Sequence, residues 1–169
     1  MTLPPGIRVA WREVPDGIPR REVSRALLAE LLPRARFVSR CASCGGDHGR
    51  VRVEGTDAVV SVSYAPGWAV VAVALGLRTI GVDAAPRDAD GLERVLPGEA
   101  RAGDWARVEA VLKADGRGLV VDPARVTVTP GREGWWARID GTAGDEALTW
   151  RGWDLDGPLG VVVAVAVPA

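Results

Sequence analysis

Lysine is almost missing from this sequence of 169 residues, because 20 of its 21 basic residues are arginines and the remaining one is Lys113. A lone lysine is of interest because a compact ammonium group can give up a proton, whereas a guanidinium group stays charged. Cysteine is scarce as well, with Cys41 and Cys44 as the two examples. Two cysteines build no disulfide scaffold, so we expect a reducing compartment.

Long apolar segments are also lacking. Apolar runs such as Val161–Val167 are far shorter than the about 20 residues that a membrane-spanning helix needs. The first twelve residues have no apolar core behind a basic start, so we expect no signal peptide. Hydrophobic residues nevertheless make up 47% of the chain, which is enough for a sizeable core. We therefore expect a cytoplasmic protein that has no membrane partner.

Neither sign of charge is in clear excess over the whole chain, since the net charge is −1. This value gives no general attraction to nucleic acid, and we expect no nucleic-acid partner. The charge is unevenly spread, however, because residues 1–52 carry ten arginines against five acidic residues. A basic N-terminal third suits a polyanionic ligand such as a nucleotide, and an arginine-rich solvated helix is the alternative.

Apolar spacing predicts two amphipathic helices. The first covers residues 21–32 and is stopped by Pro33, and the second covers 105–115 with Asp104 as its N-cap. Runs of apolar and β-branched residues predict strands at 8–11, 58–63, 68–75, 79–82, 125–129, 135–139, 147–151 and 159–167.

Helix followed by antiparallel strands occurs twice along the chain. This order predicts an α+β fold of two similar halves with pseudo-two-fold symmetry. The halves would be residues 1–86 and 87–169, joined in one bilobal unit.

Asp83 is the first candidate for chemistry. It follows the predicted strand Thr79–Val82, and a carboxylate at a strand end projects from a rigid support. The alternative is that Asp83 only begins a turn before Pro86.

The second predicted helix carries two further candidates. Trp105, Glu109 and Lys113 are spaced i, i+4, i+8, so they lie on one face of the helix. Glu109 and Lys113 could simply form an ion pair along that face. Together with Asp83, however, they have the residue types for Mg²⁺-assisted phosphoryl chemistry, since Mg²⁺ takes one or two carboxylates plus phosphate oxygens and waters.

The segment around the two cysteines has two interpretations. Cys41, Cys44 and His48 make three zinc ligands, and Asp47 would be needed for a fourth. The three glycines of residues 45–49 and the arginines that follow instead favour a flexible basic loop around a phosphate.

Four short motifs follow one another along the chain. They are Arg40-Cys41-Ala-Ser-Cys44-Gly45-Gly46-Asp-His48-Gly49-Arg50, Val60-Ser61-Val62-Ser63-Tyr64, Gly81-Val82-Asp83, and a run from Trp105 to Leu119 of pattern W-x-x-x-E-x-x-x-K-x-x-G-x-G-L. In this order they resemble the 4′-phosphopantetheinyl transferases of the surfactin-synthetase type, particularly the short actinobacterial members. The resemblance covers residues 20–125.

The resemblance implies a monomer whose two halves bind coenzyme A in a cleft between them. It further implies transfer of the 4′-phosphopantetheine arm from coenzyme A to a serine of an apo carrier protein, acyl or peptidyl. Asp83 and Glu109 would hold Mg²⁺ on the pyrophosphate. Glu109 would also help to take the proton of the serine, and Lys113 would assist the leaving 3′,5′-ADP.

The resemblance also implies a set of residues that bind coenzyme A. His48, Arg50 and Ser63 would contact the nucleotide and its phosphates, and Tyr64 is able to bind a phosphate through a hydrogen bond. Arg21 and Arg25 stand where the family often offers further phosphate contacts.

Four positions depart from the family pattern. Ala85 replaces a third metal carboxylate, Tyr64 a histidine, Val108 a lysine and Val51 a proline. Two lost cations would weaken coenzyme A binding by a few kcal/mol, at roughly 1.5–3 kcal/mol for each charged hydrogen bond. The sequence thus leaves three hypotheses: an active transferase, a non-catalytic relative that binds coenzyme A or a carrier, and a small zinc-bearing interaction module.

Overall fold

Valine and alanine fill the strands at the centre of the fold, because these strands are covered on both faces. The computed structural model describes residues 2–41, 44–47, 49–96, 98, 100–141 and 149–169. Within them, no helix is long and apolar enough to cross a membrane. The described residues form two α-helices, α1 (Arg20–Leu31) and α2 (Ala102–Asp115). They also form the strands β1 (Ile7–Glu13), β2 (Arg36–Val38), β3 (Arg52–Glu54), β4 (Ala58–Ala65), β5 (Trp68–Leu75), β6 (Gly81–Pro86), β7 (Val126–Pro130), β8 (Trp135–Ile139), β9 (Thr149–Asp156) and β10 (Val161–Pro168).

The strands form three antiparallel sheets. The first sheet has the order β1-β5-β4, the second has the order β6-β10-β9-β8-β7, and β2 pairs with β3 in a small third sheet. Helices and antiparallel sheets together make this a mixed α+β fold, which confirms the predicted fold class at that level.

The first and second sheets pack face to face, and each carries a helix on its outer face. Alternation along β5 directs Val70 and Ala72 toward the second sheet, whereas Val71 and Val73 face α1. The helix α2 covers the outer face of the second sheet, over β6 and β10. This layering brings α2 beside β6 and leaves β4 and β6 as neighbours where the two sheets meet.

Several predicted elements need correction. Asp104 is not the N-cap of α2, because the helix begins earlier, at Ala102; the side chain of Asp104 instead accepts a hydrogen bond from the backbone N–H of Arg101 (3.0 Å). Asp83 does not end a strand, because β6 continues to Pro86. The short strands β2 and β3 were not predicted. Residues 147–148 of one predicted strand lie outside the described residues.

The division into halves at residue 86 stays a prediction. The strand β6, which was placed in the first half, pairs with β10 in the second sheet.

Gly81 sets the distance between β6 and α2. A Cβ atom added at this position would overlap the carbonyl oxygen of Ala110 and lie 2.6 Å from the backbone nitrogen of Ala114. The backbone of α2 therefore rests directly on β6. Since Ala110 follows Glu109 and Asp83 lies two residues after Gly81, this close approach also brings the two carboxylates toward each other.

We predict that Gly81→Ala lowers the free energy of unfolding by about 2–4 kcal/mol, because either the helix or the strand must move. Gly103→Ala is the matched control, since a Cβ atom in the first turn of α2 meets nothing within 4 Å. Urea denaturation of both variants measures the effect. Equal stability of the two variants would contradict the close approach of β6 and α2.

Candidate functional site

Two serines of β4 connect the first sheet to β6. Ser61 Oγ accepts a hydrogen bond from the backbone N–H of Val82 (3.0 Å), and Ser63 Oγ accepts one from the N–H of Ala84 (3.2 Å). Both spacings are two residues, so alternate side chains of β4 meet alternate N–H groups of β6. Side-chain hydroxyls thus satisfy two backbone donors of β6 where the sheets meet.

Asp83 lies at this junction and is only 6% exposed. Alternation along β6 places its side chain on the face that packs against α2, together with Gly81 and Ala85. Asp83 Oδ1 accepts hydrogen bonds from Ser63 Oγ (2.8 Å) and from Lys113 Nζ (2.7 Å). The Oδ1 atom of Asp83 is therefore held by one residue of β4 and one residue of α2.

Lys113 reaches Asp83 from α2. Its ammonium group donates to Asp83 Oδ1, to Ser63 Oγ (3.0 Å) and to the carbonyl oxygen of Val82 (3.2 Å). An ammonium group has three N–H donors, so these three acceptors use all of them. Lys113 thus pairs with Asp83 and holds its carboxylate in place. An ion pair between Lys113 and Glu109, the alternative considered from the sequence, would not hold Asp83 in this way.

Glu109 is the second carboxylate of the site, one turn before Lys113 on α2. Its Oε1 atom is buried and has no hydrogen-bond partner. Burial raises the pKa of Glu109, the charge of Asp83 raises it further, and Lys113 acts in the opposite direction. Glu109 thus has one unsatisfied oxygen, a nearby carboxylate that opposes its ionisation and a nearby ammonium group that favours it.

A cavity of about 440 Å³ opens beside Lys113. This volume lies in the range of small-molecule sites. Four cationic side chains lie in its wall with one tyrosine and several small residues, which favours an anionic ligand. The wall consists of Arg20, Arg21, Ser39, Gly49, Arg50, Val51, Val60, Ser61, Val62, Tyr64, Leu112, Lys113, Gly116 and Gly118.

Tyr64 and Arg20 form one side of this cavity. The hydroxyl groups of Tyr64 and Ser24 share a hydrogen bond of 2.8 Å, and Ser24 is almost fully buried. The guanidinium group of Arg20 lies 4.6 Å from the centre of the tyrosine ring, a cation–π contact. The hydroxyl group of Tyr64 is thus held by Ser24 of α1, and the positive charge of Arg20 lies over the face of its ring.

The arginines that were predicted to bind coenzyme A differ in how they stand to the cavity. Arg21 lines the cavity and pairs with Asp47 (2.5 Å). Arg25 donates to Ser39 Oγ beside the cavity, and burial followed by the charge of Arg21 lowers its pKa. Arg50 lines the cavity as predicted.

The structure therefore brings Asp83, Glu109, Lys113 and Ser63 together in one group. It places Arg21, Arg50 and Tyr64 in the cavity wall, and Lys113 belongs to both. Ser63, predicted as a nucleotide contact, is 5% exposed, and its hydroxyl is directed at Asp83 and Lys113.

His48 lies outside the described residues, so the zinc hypothesis for the cysteine segment is not tested through it. Cys41 and Cys44 form no disulfide. Within the part of the chain that the structure describes, no three histidine, cysteine or acidic residues are grouped as metal ligands. Asp47, the possible fourth ligand, pairs with Arg21.

Two residues of the site were missed from the sequence. Arg20 could have been found from its position after Pro19, at the first turn of the predicted helix, because its neighbour Arg21 was selected there. Ser61 could have been found because it stands two residues before Ser63 on the same predicted strand.

Comparison with known proteins adds no assignment: the chain matches no family model, and no curated protein is significantly similar to it.

We predict that Glu109→Gln stabilises the protein at pH 7 in metal-free buffer. The folded protein holds the proton of Glu109 more tightly than the unfolded chain does, because the pKa is raised from its ordinary value of 4.5. Ionisation therefore costs stability, and the free energy of unfolding of the wild type falls as the pH rises from 4.5 through the raised pKa. The glutamine variant lacks this loss.

Urea denaturation between pH 4 and pH 8, in the presence of EDTA, measures the difference. Glu30→Gln is the control, because Glu30 is exposed on α1 and pairs with Arg12 at the surface. That change costs between 0 and about 1 kcal/mol. A Glu109→Gln variant that is less stable than the wild type at pH 7 would contradict the buried, unsatisfied carboxylate.

We also predict that Ser63→Ala destabilises the protein more than Ser61→Ala. Ser61→Ala leaves one buried backbone N–H unpaired, at a cost of about 1–3 kcal/mol. Ser63→Ala leaves a second such N–H unpaired and also removes hydrogen bonds to Asp83 and Lys113. Urea denaturation compares the two variants, and an equal loss would contradict the shared network.

Proposed function

We propose that the protein is a 4′-phosphopantetheinyl transferase, which moves the phosphopantetheine arm of coenzyme A to a serine of an apo carrier protein. The observation that carries this proposal is the buried, unsatisfied Oε1 of Glu109, one helical turn before Lys113, a lysine that pairs with Asp83 and lies in the wall of a cavity lined by arginines. The four sequence motifs supply the same residues independently.

The residues at the junction suit Mg²⁺. Glu109 Oε1 needs a positively charged or donating partner, and Asp83 repels it as long as both are ionised. Mg²⁺ prefers one or two carboxylates, with phosphate oxygens and waters in the remaining positions. Asp83 and Glu109 would hold the ion, and when bound it would neutralise charge on the pyrophosphate of coenzyme A.

In the transfer, the serine oxygen forms a bond to the β-phosphorus of coenzyme A, and the bond from that phosphorus to the bridging oxygen breaks. The leaving group is 3′,5′-ADP. The serine proton goes to Glu109, which acts as a general base directly or through a water. Lys113 pairs with Asp83 and lies in the wall of the cavity, and its ammonium charge would stabilise the departing phosphate.

The cavity would bind the nucleotide part of coenzyme A. Arg20, Arg21 and Arg50 offer planar guanidinium groups, which bind phosphate oxygens in pairs. Tyr64 replaces the family's histidine, and the cation–π contact with Arg20 returns a positive charge to that place. In this proposal the cavity is part of a cleft between two halves that are related by pseudo-two-fold symmetry, and the protein acts as a monomer.

Two other departures have a structural context. Ala85 is buried in the core against α2, on the same face of β6 as Asp83, so the site has two carboxylates rather than three. Val108 is buried in that core as well, at the position of the family's lysine. Its side chain contributes packing of α2 and no charge.

A non-catalytic relative that binds coenzyme A is the second candidate. The observation in its favour is that all three donors of Lys113 already have acceptors within the protein. If Lys113 stays bound to these acceptors, it fixes Asp83 and gives the leaving group neither a proton nor a stabilising charge.

We predict that the protein, incubated with coenzyme A, Mg²⁺ and apo carrier proteins, adds one phosphopantetheine arm to a carrier, as measured by intact-protein mass spectrometry. Glu109→Gln should lower the rate by roughly 10²–10⁴-fold, the usual contribution of a positioned acid–base group. Asp83→Asn should lower the rate as well, because it removes a carboxylate that would hold Mg²⁺. Glu30→Gln, a carboxyl change on α1 away from the site, should keep the wild-type rate.

Calorimetry separates the candidates if no carrier gains mass. Binding of coenzyme A that does not respond to Mg²⁺ would support the non-catalytic relative. Absence of binding to both coenzyme A and carriers would reject both candidates.

A further inference from the structure

Tyr64 and Arg20 belong to the walls of two cavities. The first cavity is the one of about 440 Å³ beside Lys113, and the second has a volume of about 540 Å³. The second cavity lies between the connection from β1 to α1 and the turn from β4 to β5, where the N–H of Val14 donates to the carbonyl oxygen of Gly67 (2.8 Å). The two cavities therefore adjoin at the side chains of Tyr64 and Arg20.

The second cavity differs from the first in charge. The first cavity has four cationic side chains and no acidic one among the described residues of its wall. The wall of the second cavity carries one cation, Arg20, and one acid, Asp16, and its other residues are uncharged, with apolar side chains such as Ile18 and Trp68. Anionic groups of a ligand therefore suit the first cavity, and an uncharged part of the ligand suits the second.

The hydrogen bonds around Tyr64 determine what its hydroxyl group offers at this boundary. Ser24 Oγ donates its single proton to the carbonyl oxygen of Arg21 (3.0 Å). The hydrogen bond of 2.8 Å between the hydroxyl groups of Ser24 and Tyr64 then has Tyr64 as its donor. Ser24 is only 1% exposed, so an arrangement that makes both bonds is favoured over one that leaves a bond unmade.

A tyrosine whose proton is held by a protein oxygen can only accept further hydrogen bonds. The oxygens of a phosphate group are acceptors as well, so the hydroxyl group of Tyr64 has no proton to offer to a phosphate. The guanidinium group of Arg20, 4.6 Å from the centre of the tyrosine ring, supplies the positive charge at this place. Arg20 thus suits an anionic group, whereas the oxygen of Tyr64 suits an N–H or O–H group.

We propose that Tyr64 is a specificity-determining residue whose hydroxyl oxygen accepts a hydrogen bond from an uncharged N–H or O–H group of the ligand. Ser24 is the positioning residue, because it keeps the tyrosine proton directed away from the ligand. A histidine at position 64 could donate to a phosphate, so the tyrosine changes what this position recognises.

The identity of the ligand rests on the proposed function. In coenzyme A, uncharged donors occur on the nucleoside and along the phosphopantetheine arm, whereas 3′,5′-ADP has those of the nucleoside alone. Comparison of the two compounds therefore shows which part of coenzyme A meets Tyr64.

Isothermal titration calorimetry of the wild type and Tyr64→Phe with both compounds tests the proposal. Phenylalanine keeps the ring under Arg20 and removes the hydroxyl group alone. We expect Tyr64→Phe to bind coenzyme A about three- to tenfold more weakly, as the loss of one uncharged hydrogen bond would give. A loss for both compounds places the donor on the nucleoside, and a loss for coenzyme A alone places it on the arm. Unchanged binding of both compounds would overturn the proposal.

Sulfate tests the direction of the tyrosine proton without coenzyme A, because this anion carries no proton at pH 7 and can only accept. The rise in Tm on adding sulfate is measured against chloride of equal ionic strength. We expect Tyr64→Phe to keep the wild-type response. Ser24→Ala should increase the response, because it frees the tyrosine proton for the anion, and the double variant Ser24→Ala/Tyr64→Phe should return it to the wild-type value.

A smaller sulfate response in Tyr64→Phe than in the wild type would show that the hydroxyl group donates to anions, which overturns the proposal. An equal response in all four proteins also overturns it. If the wild type binds neither coenzyme A nor 3′,5′-ADP, the proposed function fails, and the sulfate responses then decide between a donating and an accepting Tyr64. If Ser24→Ala does not fold, the comparison of Tyr64→Phe with the wild type decides in the same way.

Discussion

The hydrogen-bond network of Ser63, Asp83 and Lys113 is the interaction on which the site depends. Ser63 belongs to the first sheet, Asp83 to the second and Lys113 to the helix that covers the second. Each of the three side chains bonds to the other two, so none can move without breaking contacts in two elements. Because the group is largely buried, the cost of leaving one member without a partner is higher than at the surface.

Charge balance at this network is the physical basis of the proposed Mg²⁺ site. One ammonium group faces two carboxylates, and its three donors are directed at Asp83, Ser63 and a backbone carbonyl. The Oε1 atom of Glu109 therefore remains buried and without a donor. A folded protein normally satisfies such a group, and the proposed divalent ion, shared with Asp83, would satisfy it without any new protein contact.

The sequence predicts best where local pattern and tertiary packing agree. The strand 68–75 is covered on both faces, so the ends of its continuous apolar run give the ends of the strand. For α2, helical spacing predicts which residues share the face that carries Glu109 and Lys113. The end of β6 was predicted too early, because Ala84 and Ala85 before a proline resemble a turn, whereas pairing with β10 extends the strand. The strands β2 and β3 have three residues each and depend on pairing with each other across an intervening loop.

The role of Ser63 could not be predicted from local pattern, because it arises from contacts between segments far apart in sequence. Ser63 lies 20 residues from Asp83 and 50 residues from Lys113, and its partners are fixed only when the sheets meet. Sequence supplies the residue types of the site, and packing decides which of them face each other.

The geometry of the network also explains why the chain's one lysine is at position 113. Three acceptors, on a serine, an aspartate and a backbone carbonyl, surround a single nitrogen at 2.7–3.2 Å. An ammonium group points its three donors along the edges of a pyramid and fits this arrangement, whereas the donors of a guanidinium group lie in one plane. Arginine supplies the other positive charges of the cavity wall, whereas lysine fits position 113, where one compact charge binds three protein atoms at once.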